Sequence, residues 1–149
     1  MSREIIKELE KINIDLINKV LDTQNFIYPM IIYSANNEIK TFILDGNAIR
    51  EGTKFIIERL SKKPLDWLVH ISEAYCKIAE REASYKYGEL ERRFDNGDKD
   101  VKEIVFCHIY TKTDKLSITI DKKSREIMKS SEFEGFLTIS DNDRVLWKD

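Results

Sequence analysis

Between Lys102 and Asp121 apolar residues recur at every second position: Val105, Cys107 and Ile109 on the way out, Leu116, Ile118 and Ile120 on the way back. A period of two marks a strand with one buried face, whereas a helix would scatter such a row around its circumference. The two halves flank Thr113-Asp114. A two-residue loop there predicts Ile109 opposite Ile118 and Cys107 opposite Ile120, with all six side chains on the core face of an antiparallel hairpin. Something apolar must cover that face.

Residues 3 to 22 are one candidate for that cover. Ile5, Leu9, Ile12, Leu16 and Val20 follow one another at steps of three or four, widened by Ile6, Ile17 and Leu21, which predicts a one-sided amphipathic helix. Ser2 stands where a cap is needed, and Glu4 complements the dipole in the first turn. Two further strand-like runs follow, Phe26 to Ser34 and Ile39 to Leu44. Asn36-Asn37 between them tolerates positive φ, so a tight turn pairs Ile32 with Thr41, Ile31 with Phe42 and Met30 with Ile43. Both faces of this hairpin are apolar, which predicts a place well inside the sheet or covered on both sides. Residues 48 to 62 read as a second amphipathic helix, opened by Asn47 and closed by Lys62-Lys63-Pro64.

Residues 65 to 94 admit two readings. Trp67, Val69 and Ile71 alternate with Leu68, His70 and Ser72, which predicts a strand from about 66 to 77, then a charged excursion and a short helix from Glu89 to Phe94. A single helix from Ser72 to Phe94 is the competing assignment. Residues 122 to 134 are polar and read as a turn or short helix, and Gly135 to Ser140 with Arg144 to Lys148 reads as a last hairpin. The expected fold is a single α+β domain spanning residues 1 to 149. Its mainly antiparallel sheet has five to seven strands built from hairpins, with two amphipathic helices packed on one face.

Composition limits the function classes. The 149 residues carry 25 Lys and Arg against 27 Asp and Glu, a formal net charge of -2, which speaks against a dedicated nucleic-acid coat or a basic membrane-surface protein. The longest apolar run, Phe26 to Tyr33, is broken by Pro29 and falls far short of the roughly 20 residues of a membrane span. A cytoplasmic protein with Cys76 and Cys107 as reduced, buried thiols is the expectation. One Gln against 17 Lys and 21 Ile fits a heat-adapted source, an archaeon or one of its viruses, and equally an AT-rich genome, which raises the same residues.

Catalytic signatures are missing from the chain. It has no G-x-S-x-G, no P-loop and no G-x-G-x-x-G. His70 and Cys76 share strand parity, but Cys107 and His108 are adjacent and point to opposite faces, so one metal ion does not suit both. Asp95-Asn96-Gly97-Asp98 and Asp141-Asn142-Asp143 lack the distal glutamate of a calcium loop and read as turns. No cofactor and no metal are expected.

The hairpin register leaves one feature over. Its second face carries Phe106, His108 and Tyr110, with Thr119 and Ser117 on the returning strand. Aromatics interleaved with small polar residues resemble a contact or stacking surface. This predicts a non-catalytic interaction module that binds a protein partner, or itself as a homodimer, through an exposed sheet face or edge. Phe106, His108, Tyr110 and Thr119 are its candidate binding residues. A weak, sequence-tolerant nucleic-acid binder using the same row with one of the short basic clusters, Lys62-Lys63, Arg92-Arg93 or Lys122-Lys123-Ser124-Arg125, is the alternative, and a small enzyme with His108 as base the third.

Overall fold

The computed structural model describes residues 2–43, 65–79, 88–111, 114–132 and 143–147. Helix α1 (Ser2–Thr23) is followed by strands β1 (Met30–Ala35), β2 (Glu38–Ile43) and β3 (Trp67–Ala79), then by the short helix α2 (Glu89–Asp95). Strands β4 (Val101–Thr111), β5 (Lys115–Asp121), β6 (Ile127–Glu132) and β7 (Asp143–Trp147) complete the described chain. The strands form one open sheet in the order β2-β1-β3-β4-β5-β6. All neighbours on that path are antiparallel. Only β7 runs parallel, beside the second half of β3, whose first half pairs with β1.

Helix α1 covers one face. Leu9, Ile17 and Leu21 pack with Val69 and Ile71 of β3, Val105, Cys107 and Ile109 of β4, and Leu116, Ile118 and Ile120 of β5. Burial of each large aliphatic side chain contributes about 1.5–3 kcal/mol relative to exposure. The buried line of α1 passes through Leu9, Asn13, Ile17 and Leu21, while Ile5 and Ile12 of the expected stripe are exposed. Asn13 is tolerated inside because its Nδ2 donates to the Leu9 carbonyl at 2.7 Å, satisfying the amide within the helix.

The first hairpin has the predicted register, Met30 opposite Ile43, Ile31 opposite Phe42 and Ile32 opposite Thr41. Asn36 and Asn37 take φ of 51° and 64°, the left-handed pair that a tight hairpin turn requires. Its location departs from expectation. The hairpin lies at the margin of the sheet with β2 outermost, and every residue of β2 is exposed. Apolar content on both faces therefore did not translate into burial: only β1, the inner strand, is flanked by β3.

The second hairpin pairs Cys107 with Ile118 and Ile109 with Leu116, two residues away from the predicted register. Thr111 closes it: its N–H donates to the Asp114 carbonyl at 2.8 Å and its Oγ1 accepts the Asp114 N–H at 3.0 Å. A shift by two residues leaves every side chain on its predicted face, because the side-chain period is also two.

Between 65 and 95 the strand-then-helix reading holds, and the single helix from Ser72 to Phe94 is overturned by a strand that continues to Ala79. Helix α2 begins after Gly88, whose φ of 74° suits glycine and lets the chain turn sharply into the helix. Residues 127 to 132, expected as turn or short helix, form β6, because β5 offers backbone groups that their polar sequence does not advertise. The second amphipathic helix at 48 to 62 and most of the last hairpin lie outside the described residues. Among the described residues no helix is long and apolar enough to cross a membrane.

Candidate functional site

Sheet parity gathers Phe106, His108, Tyr110 and Thr119 on one face, with Phe106 directly opposite Thr119 and His108 opposite Ser117. The rings of Phe106 and His108 stack at 4.6 Å with 26° between planes. His70 of β3 joins them, opposite His108 with ring centroids 6.1 Å apart and 5.3 Å from Phe106. This row is buried. Phe106 is 2% exposed, His108 0%, Tyr110 6% and Thr119 2%. Phe106 also packs in a cluster with Ala74, Cys76, Ile104 and Met128. The expected open platform is thus corrected: the row is interior, and its aromatics present no face for stacking a base or docking a partner. Register arguments place side chains on a common face, but they do not say what packs over it.

The nucleic-acid alternative loses its aromatic platform by the same burial. In the basic cluster at 122 to 125, Lys122 and Arg125 are engaged with carboxylates. Lys122 reaches Glu73 at 3.0 Å and Glu103 at 3.6 Å, while Arg125 reaches Asp22 at 3.2 Å and donates to the Asn18 carbonyl at 3.1 Å. A cleft of about 930 Å³ lies beside these groups, lined by Leu21, Phe94, Lys99, Asp121, Lys123 and Ser124 among others. Its lining mixes both charge signs.

Two of the described groups with acid–base or nucleophilic side chains are held protonated near neutrality. Burial, reinforced by Glu10, pushes the Cys107 thiol well above its ordinary range, so it is no thiolate nucleophile. Burial and then the carboxylates of Glu91, Glu103, Asp95 and Glu73 push Tyr75 up, so its hydroxyl stays protonated near neutrality. Cys107 and His108 fall on opposite faces, as adjacent strand residues must. Among the described residues no group of three His, Cys, Asp or Glu side chains is placed to hold a metal ion.

What the surface does offer is the edge strand β2. Ile39 is 68% exposed, Ile43 63% and Phe42 42%, and Phe42 stacks on Tyr33 of β1 at 5.8 Å and 14°. Among the described residues no strand pairs with its outer side. The direction of its backbone groups follows from β1. The Ser34 carbonyl accepts the Asp66 N–H at 2.8 Å, so Ser34 turns its backbone groups toward β3 and away from its β2 partner Ile39. By antiparallel alternation, Ile39, Thr41 and Ile43 then point their N–H and C=O groups outward.

The opposite edge differs. The pairing of β6 with β5 shifts register between Thr119 and Ile120, an irregularity of the kind that twists an edge out of line, and its sequence from Lys129 to Glu132 is polar. Edge β2 keeps a regular register with β1 over all six residues. Its two charges, Glu38 and Lys40, lie on the Phe42 side, leaving Ile39, Thr41 and Ile43 as an uncharged row on the other. Nothing in composition distinguished this hairpin as an edge, since the same apolar residues would serve a central pair. Compared with known proteins, the chain matches no family model, no curated protein and no solved structure.

Proposed function

We propose that this chain is a non-catalytic interaction module that accepts an extended segment of another polypeptide as an added strand along β2. The exposure of every β2 residue, with three backbone positions turned outward and three large apolar side chains uncovered, is the observation that carries the reading. Main-chain hydrogen bonds supply affinity in this mode, and alternate side chains supply selectivity. An edge strand exposing Ile39, Phe42 and Ile43 is otherwise a liability for a sheet, and its retention is accounted for by use. The setting consistent with two buried thiols, Cys76 and Cys107, is the reducing cytoplasm.

The test is a titration of the isotope-labelled protein with blocked eight-residue peptides of alternating β-branched and polar residues, followed by amide NMR. The expected result is a shift and slowed exchange of the Ile39, Thr41 and Ile43 amides, with Lys40 and Phe42 amides, already bonded to β1, little changed in exchange. Perturbation confined to other elements, or no perturbation at millimolar peptide, overturns the reading.

A further inference from the structure

Resting on the edge-strand reading, we infer that the segment β2 accepts is β2 of a second copy of this chain, antiparallel and centred on Thr41. Two copies joined edge to edge in an antiparallel sheet are related by a two-fold axis normal to the sheet, so paired residues come from the same face and the register must match odd positions with odd, even with even. The outward positions are Ile39, Thr41 and Ile43, fixed by the Ser34 to Asp66 bond and the β1 pairing. Only a Thr41 centre uses all three: Thr41 meets the partner's Thr41, Ile39 meets the partner's Ile43, and Ile43 meets the partner's Ile39. Each of these pairs exchanges two N–H to carbonyl bonds.

Side chains favour the same register. On the face shared with α1 it sets isoleucine against isoleucine and threonine against threonine, the β-branched pairing that adjacent strands favour. On the other face Lys40 lies opposite the partner's Phe42, an ammonium beside a ring. A Lys40 centre would place two lysines directly opposite one another and leave Ile43 unbonded, and a Phe42 centre would leave Ile39 unbonded. The strand is therefore self-complementary in one register and poorer in its neighbours, which is the property an isologous interface requires.

Sedimentation equilibrium of the full chain from micromolar to millimolar tests this. The expected result is a monomer–dimer equilibrium that Thr41→Pro weakens by at least about tenfold, since both central donors vanish at about 1 kcal/mol or more each. Proline is tolerated there because the lost N–H faces away from β1. Thr41→Val, which keeps the amide and the β-branch, should dimerise like the parent. As a check independent of how well the proline variant folds, Thr41→Cys should oxidise to a covalent dimer across the two-fold, where opposed Cα atoms lie about 5.5 Å apart, and Glu38→Cys should not. A chain monomeric throughout overturns the self-pairing while leaving the strand-acceptor reading to the peptide titration. A dimer insensitive to Thr41→Pro and not cross-linked through Thr41→Cys also overturns it.

Discussion

Oε1 of Glu73 accepts a hydrogen bond from the Ile27 amide at 2.9 Å and forms an ion pair with the Lys122 ammonium at 3.0 Å. A single carboxylate on β3 thereby ties the segment between α1 and β1 to the turn after β5. Ile27 is 4% exposed, so its N–H has little access to water if the acceptor is removed.

Glu73→Ala should destabilise the fold by about 1–3 kcal/mol, the cost of an unsatisfied buried donor together with a lost partly exposed ion pair. Glu73→Gln keeps an acceptor for Ile27 and should cost clearly less. Urea denaturation of both variants measures the difference, and equal losses would contradict the role given to the Ile27 bond.

Phe106 is a buried apolar ring of the second interior face, stacked on His108 and close to His70. Phe106→Ala should cost about 3–5 kcal/mol, a large part of the roughly 5–15 kcal/mol that holds a domain folded. Phe106→Leu should cost much less, as a volume-conserving change does. If the alanine variant unfolds at the parental urea midpoint, the row is not interior in solution.

Asp121 gives the stability a pH dependence with a definite sign. Burial alone would raise its pKa, but the amide N–H groups of Ser124 and Lys123 and the ammonium of Lys102 outweigh burial and hold it below the ordinary carboxylate value. A depressed folded pKa contributes stability that is present above the unfolded value of about 3.9 and is lost as pH falls through the folded one. Asp121→Asn should therefore cost about 1–2 kcal/mol at pH 7. Its deficit should shrink between pH 7 and pH 2, as the parent carboxyl begins to take up a proton. Paired urea melts at the two pH values decide it, and a deficit independent of pH would refute the assignment.

Both cysteines have no exposed surface, Cys107 beneath α1 and Cys76 on the other face of the sheet. Thiol labelling in native buffer should be slow, at a rate set by opening of the fold, and both thiols should react at once in denaturant. Immediate native labelling of either would show that its cover is incomplete.

Much of the fold could be read from local pattern. The helix at the N-terminus, the Asn36-Asn37 turn and the pairing of Ile32 with Thr41 depend on contacts within one element or across one short loop, where residue chemistry and spacing suffice. The face assignment of Val105, Cys107 and Ile109 survived a wrong pairing register because the register error was two residues, an even number. Strand β6 was missed because Ile127 to Glu132 carries almost no apolar alternation and is a strand through pairing with β5. The candidate row was legible as a row, yet its fourth aromatic ring, His70, required the β3–β4 register, which spans more than thirty residues of sequence and leaves no local trace.

The sequence by itself determined which segments are strands with a two-residue period, which face each side chain takes, and that the cysteine and histidine at 107 and 108 part company across the sheet. These follow from backbone geometry, which is local. Tertiary structure alone decided which strand became the edge and which face became interior. Those outcomes depend on what distant segments pack against, and apolar residues serve a buried strand and a binding edge equally well. The Phe106, His108 and Tyr110 row and the Ile39, Phe42 and Ile43 strand thus exchanged the roles that composition suggested for them.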